Sequence, residues 1–467
     1  MVAFLRHFSA LIRVAVAVYV FGTAFALPAA ERPASREIGL PHFDPFHPRD
    51  YQGHTQVWGA AQDAAGLLYF GNYGRVLVYD GARWSHLDVP HTSFVRALAC
   101  GADDTLWIGA VNELGFARAD GTGRRAFVSL KEHVPAAAAN FGEIWHVHIG
   151  PHGPVFLSNS QVLRWNGRAF AHAELVSQGG WQLVRVGDAL RATHARLGWF
   201  RIEDDGDTLQ LAPLPRPDDY SSGALFAALP GNTDDESLLV TSRGGLLRWR
   251  DGQLSAFPTE ADDTLKTQLL YRGVRLPDGR IVLGTLQGGA VILDAAGRLL
   301  ARLNESAGLP DNTTLSVFAD RFDGLWLSLD KGLVRVDTRS WLSGFGAAIG
   351  VPRSPLSAPV RFRGELLLPS ISGLHRLVAA TPSSIAHIEP VAALSDYLNG
   401  AAPFEDQVLV WGSAGAALWN GVHAQWWEVP GLTDVFGLVA SQRYPGRWFV
   451  LATGGVYSLR RENGQWI

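Results

Sequence analysis

Two side chains able to ligate a metal stand two residues apart at His146 and His148, inside a stretch that reads as a β-strand. Alternate strand residues share a face, so both imidazoles point the same way, as neighbouring metal ligands do. No third ligand follows at a metal-site spacing, so packing or the lining of a central channel is the expected role, with no metal. His42, Asp44, His47 and His54 make a looser polar cluster, read as a solvated loop. The acidic pairs Asp103-Asp104, Asp204-Asp205, Asp234-Asp235 and Asp262-Asp263 offer carboxylates. Glycoside hydrolysis needs two of them converging across about 5 to 9.5 Å, whereas adjacent residues at turns usually point apart. No Gly-x-Ser-x-Gly elbow, phosphate-binding loop or zinc-protease helix motif occurs, so no catalytic residue is assigned and no cofactor is expected.

The elements that would position such residues follow from composition. The chain has 467 residues, 47% hydrophobic and 18% charged, which demands a large buried core rather than disorder. Glycine and proline, 51 and 25, suit many tight turns and argue against long helices. A net charge of -4 gives no electrostatic ground for nucleic acid as a partner. A single cysteine, Cys100, excludes an internal disulfide and a four-thiolate metal site.

Residues 1–26 read as a cleaved signal peptide. Arg6 and His7 precede an apolar run from Val14 to Phe25, and Ala24-Phe25-Ala26 supplies small residues at the cut. The run is short for about 30 Å of hydrocarbon, and Pro28 follows. A periplasmic or secreted location is expected.

One unit recurs along the chain. Val57-Trp58-Gly59-Ala60-Ala61-Gln62-Asp63, a turn at Ala64-Ala65-Gly66, and Leu67-Leu68-Tyr69-Phe70-Gly71 read as two short strands. Val76-Leu77-Val78-Tyr79, the hairpin Asp80-Gly81, and a strand opened by Trp84 complete four. The last hairpin returns as Asn166-Gly167, Asp251-Gly252, Asn420-Gly421 and Asn463-Gly464, dipeptides that tolerate the positive φ of two-residue turns. First strands start near Val57, Val95, Trp145, Gln182, Ala224, Leu269, Leu315, Val360, Glu405 and Val435, which makes ten units.

A four-stranded sheet cannot bury both faces alone, so tandem copies stack radially. The fold class is therefore all-β, a β-propeller of four-stranded antiparallel blades. Propellers hold about 4 to 8 blades, so ten units divide into one seven-bladed ring and a partial second ring of about three. The expected organisation is a signal peptide over 1–26, an entry segment over 27–50, the ring over 51–350 and the partial propeller over 351–467. Trp84, Trp107, Trp326 and Trp341 are placed between blades, where large rings fill the widening gap.

Gly308-Leu309-Pro310-Asp311-Asn312, then Val317 through Ser328 with Asp323-Gly324-Leu325-Trp326, then Lys331-Gly332-Leu333-Val334-Arg335-Val336-Asp337, resembles the two-component-regulator propeller repeat. The opening from Gly39-Leu40-Pro41 to Val78-Tyr79-Asp80-Gly81, with Trp107-Ile108-Gly109-Ala110, is similar to the start of those sensor regions. The resemblance implies propellers outside the cytoplasmic membrane that feed a histidine kinase or diguanylate cyclase. The sequence has neither a cyclase signature nor a kinase region, so the sensing half alone is implied. The partner would be a membrane-bound signalling protein.

In such a ring, loops between second and third strands open on one face around a shallow funnel. They carry the candidate ligand-binding residues Asn72, Tyr73, Arg75, Asn112, Glu113, Asn159, His194, Arg196, Arg243, Gln287, Asp330 and Lys331. Their mix of amide, aromatic and both charge signs suits a small-molecule or oligosaccharide signal. The reading is a non-catalytic sensor; the alternative is a secreted carbohydrate-active propeller enzyme.

Overall fold

A computed structural model describes residues 37–467, apart from 216–222, 234, 339, 341, 381–384, 430, 463, 464 and 467. The signal peptide read at 1–26, Asp234, Trp341 and the Asn463-Gly464 hairpin lie outside the described residues. The repeated phrase folds into ten four-stranded antiparallel sheets, spanning 60–88, 95–129, 144–174, 181–214, 225–257, 270–303, 314–337, 360–390, 398–426 and 435–466. Hairpin chemistry sets the turns. Asp251 and Gly252 both have positive φ, 50° and 82°, as a two-residue turn matching the twist of its strands requires.

The first strand of each of the first seven sheets touches that of the next, and the seventh returns to the first. The Val57 amide donates to the Leu329 carbonyl at 3.1 Å and the Gly332 amide to the Thr55 carbonyl at 2.8 Å, which joins the two ends of the ring. The seventh sheet draws only three strands from its own repeat. Its outer strand is Phe43–Phe46, which pairs antiparallel with Gly332–Asp337 so that Phe46 faces Leu333. The segment read as an entry loop thus supplies the strand that fastens the ring. His42, just before this strand, and Asp44, on it, make an exposed pair at 3.3 Å, while His54 sits apart against Tyr73 and Phe94, so the polar cluster is divided. Pro45 is tolerated because an outermost strand has one unpaired edge.

Aromatic rings fill the seams. Phe46 packs on Trp326, Trp84 and Tyr79 with centroids 5.4 to 5.7 Å apart, and Trp107 meets Phe116 and Phe156 between the second and third sheets. The Trp326 indole N–H donates to Asp320, whose other oxygen accepts from the Phe322 and Gly324 amides and shapes the turn before Trp326. Charged clasps cross other seams. Asp63, buried in the first sheet, meets Arg125 of the second at 2.9 Å and accepts from the Tyr69 hydroxyl at 2.7 Å, and Arg164 of the third meets Asp204 of the fourth at 3.1 Å.

Sheets eight to ten stack in order. The ninth begins at Leu398, not near Glu405, which sits in its first hairpin with φ 53°. Leu398–Phe404 is rich in small residues and carries Pro403, so its strand character is weak in sequence. Phe345 and Val351 of the connecting segment cover the leading face of the eighth sheet at Leu377 and Ile388. The chain near residue 37 is tied to both halves, through Glu37 to Arg361 at 2.5 Å and Leu40 pairing with Gly344.

Candidate functional site

The first strands of the ring share a local irregularity. In five of them the pairing to the second strand slips by one residue, leaving Arg96, Trp145, Phe226, Tyr271 and Leu315 as the extra residue. A bulge of this kind re-aims a side chain out of the sheet plane. Trp58 and Gln182 hold the same place in the first and fourth sheets. Seven large side chains, one per blade, therefore gather at one end of the channel. That end is also where the loops between second and third strands lie, since Val95 pairs with Ala110 just before the loop at 111–112.

Arg96 is the centre of this arrangement. Its guanidinium carbon lies 3.9 Å from the Trp58 ring centroid and 4.9 Å from those of Phe94 and Trp145. The side chain is 12% exposed, with Nε 3.6 Å from a Glu143 carboxylate oxygen. Burial works against the charge on Arg96, and Glu143 works for it. Arg272 repeats the motif across the channel, 3.8 Å from the Tyr271 ring and 5.8 Å from Phe226, donating to the Tyr271 carbonyl and hydroxyl at 3.1 and 3.0 Å. Trp58, Arg96, Trp145, His146, His148 and Arg272 line one cavity of about 210 Å³. The two histidines therefore line the channel. His146 Nε2 is 3.0 Å from the Gln182 amide oxygen, and burial, Arg272 and His148 together push its pKa well down. Burial, with Arg185, brings His148 down to about 4, so both rings are neutral at pH 7.

The rim residues divide by surroundings. Asn72 is fully buried: its amide donates to the His54 and Gln56 carbonyls and its oxygen accepts from the His54 amide. Glu113 is buried and accepts from the Leu114 amide and the Ser129 hydroxyl. Asn159 accepts from the Trp145 indole at 2.7 Å and so fixes one wall of the Arg96 cage. His194 caps its turn by accepting from the Arg196 and Leu197 amides. Arg75 lies 3.6 Å from Asp88, Asp330 accepts from Gln56 at 2.5 Å, and Lys331 pairs with Asp311 at 2.9 Å. Tyr73, Asn112, Arg196, Arg243 and Gln287 are exposed. Of the acidic pairs, 103–104 lies in a turn and 204–205 at a strand end, whereas Asp262 and Asp263 do not sit in a turn but open the short helix Asp262–Thr267; Asp103 pairs with Arg118, and Asp205 accepts from the Asp207 and Thr208 amides.

The bulged positions had a sequence signal of their own. Ile144-Trp145, Leu225-Phe226 and Leu270-Tyr271 each set two bulky residues in succession, which breaks strand alternation where the extra residue is inserted.

No protein-family model matches this sequence, and no curated relative does. Among solved structures, the fold is shared with the extracellular domain of a hybrid two-component system from B. thetaiotaomicron, at 13% identity and a TM-score of 0.67 over 91% of this chain. It is also shared with the extracellular domain of a one-component system from the same organism, at 14% identity and a TM-score of 0.51, again over 91% of this chain. In both cases this chain spans 60% of the length of the structure it matches. At such identities the likeness establishes a propeller fold and nothing finer.

Proposed function

We propose that this chain is a non-catalytic, ligand-sensing β-propeller that works outside the cytoplasmic membrane. It would be the sensor part of a two-component or diguanylate cyclase type receptor, handing its signal by contact to a membrane-bound signalling protein. The observation that carries the reading is the collar of Trp58, Arg96, Trp145, Gln182, Phe226, Tyr271 and Leu315, set below the exposed rim loops. A ligand entering from the rim meets ring faces and charged donors that seven rigid blades hold in place. The rim residues Tyr73, Asn112, Arg196, Arg243 and Gln287 extend this contact zone. Neighbouring folds in extracellular domains of signalling systems and the export-type start of the sequence support the location. Among the residues lining the cavity none is a carboxylate, which favours binding over sugar cleavage. A titration of the chain with small sugars, oligosaccharides and organic acids, read by tryptophan fluorescence and thermal shift, tests the proposal. A saturable response lost in Trp58→Ala is expected. Release of a cleavage product from any glycan would overturn it in favour of a secreted carbohydrate-active enzyme.

A further inference from the structure

Stacking leaves the Arg96 guanidinium unsatisfied. Aromatic faces cover its plane, yet its N–H donors point outward within that plane and need acceptors. Nε and Nη1 of Arg96 are buried with no hydrogen-bond partner among the described residues, and the indole Nε1 of Trp58, 3.9 Å from that guanidinium as measured from its ring centroid, is orphaned as well. Buried donors left unpaired are rare in folded proteins, and each calls for an explanation. Glu143 does not supply one: its nearest oxygen stays 3.6 Å from Nε and is itself without a hydrogen bond. The same cavity also receives Arg272.

We infer that the funnel takes a small organic anion, its carboxylate accepting from Arg96 and the Trp58 indole, with Arg272 as the second cation; this deepens the sensing reading and rests on it. A carboxylate brings two oxygens that match a guanidinium fork and can also accept from a neighbouring indole N–H. The cavity of about 210 Å³ is below the roughly 300–1,000 Å³ of drug-sized sites, so the ligand is a single ring or its equivalent. Whether that ring is a sugar or an arene is left to the probes, which share the carboxylate.

The test is a fluorescence titration of the full chain with glucuronate, benzoate and glucose, since Trp58 and Trp145 flank the proposed anchor. At least one carboxylate should give a saturable change and glucose none. The double variant Arg96→Gln with Glu143→Gln, which leaves no lone buried charge, should weaken that binding at least tenfold while retaining its thermal transition. Arg272→Gln, whose side chain has its own partners, should weaken it several-fold and covers the case in which the double variant misfolds. No response to either carboxylate, or equal binding in both variants, overturns the inference. Saturable binding of glucose that Trp58→Ala abolishes and the double variant spares would also overturn it, while leaving the sensing reading standing.

Discussion

His146 and His148 sit where a buried channel lining meets two guanidinium-bearing neighbours, Arg272 and Arg185, and both effects disfavour the imidazolium. Because the folded pKa of His148, about 4, lies below the ordinary value of 6.5, the unfolded chain binds more protons at this residue between those two values, and His146, also lowered, acts in the same direction. Stability is therefore full above pH 6.5, falls as the pH drops through that window, and levels off below it. For His148 alone the loss between pH 7.5 and pH 5 is about 2 kcal/mol. Urea unfolding at the two pH values should show that His146→Gln with His148→Gln removes at least this part of the acid sensitivity. An unchanged pH slope in the double variant would show the rings to be solvated. The residue scale also explains why the rim divides as it does. Asn72, in a loop, and Glu113, at the strand start that follows one, are polar types that sequence reads as ligand contacts, but backbone groups nearby needed their side chains.

At the scale of elements, the ring is fastened by four residues. Phe43–Phe46 completes the seventh sheet and sets Phe46 against aromatics of both the first and seventh sheets. Phe46→Ala leaves the strand pairing intact and removes that wedge. The expected loss is about 3 kcal/mol, read from the denaturant midpoint. A loss under about 1 kcal/mol would mean that backbone pairing alone holds the closure. The sequence concealed this strand because its partner lies nearly 300 positions away and Pro45 argues against a central strand. The bulges belong to the same scale: each is one inserted residue, and the five of them re-aim Arg96, Trp145, Phe226, Tyr271 and Leu315 toward the axis, where Trp58 and Gln182 complete the collar.

Across the whole molecule, seven sheets close and three do not. The linker at Phe345 and Val351 covers the leading face of the open arc, while the trailing face of the tenth sheet carries Val439, Phe449, Leu451 and Val456 in solvent. Strand alternation makes the two faces differ sharply: Val450 is fully buried, whereas Phe449 and Leu451 are 40% and 50% exposed. Phe449→Ser with Leu451→Ser should thus change stability by less than about 1 kcal/mol, while Val450→Ser should cost several times more. Thermal unfolding of the two variants checks this, and equal losses would mean that the outer face is packed after all.

Turn dipeptides and the recurring strand phrase determined the four-stranded unit, its ten copies and the radial stack, because those signals are local and return along the chain. Tertiary structure alone decided which distant strand closes the ring, which rim side chains are taken up by backbone, and that Arg96 stands caged with unpaired donors at the channel mouth. These depend on residues brought together from separate blades, and no period in the chain records the axis around which they meet.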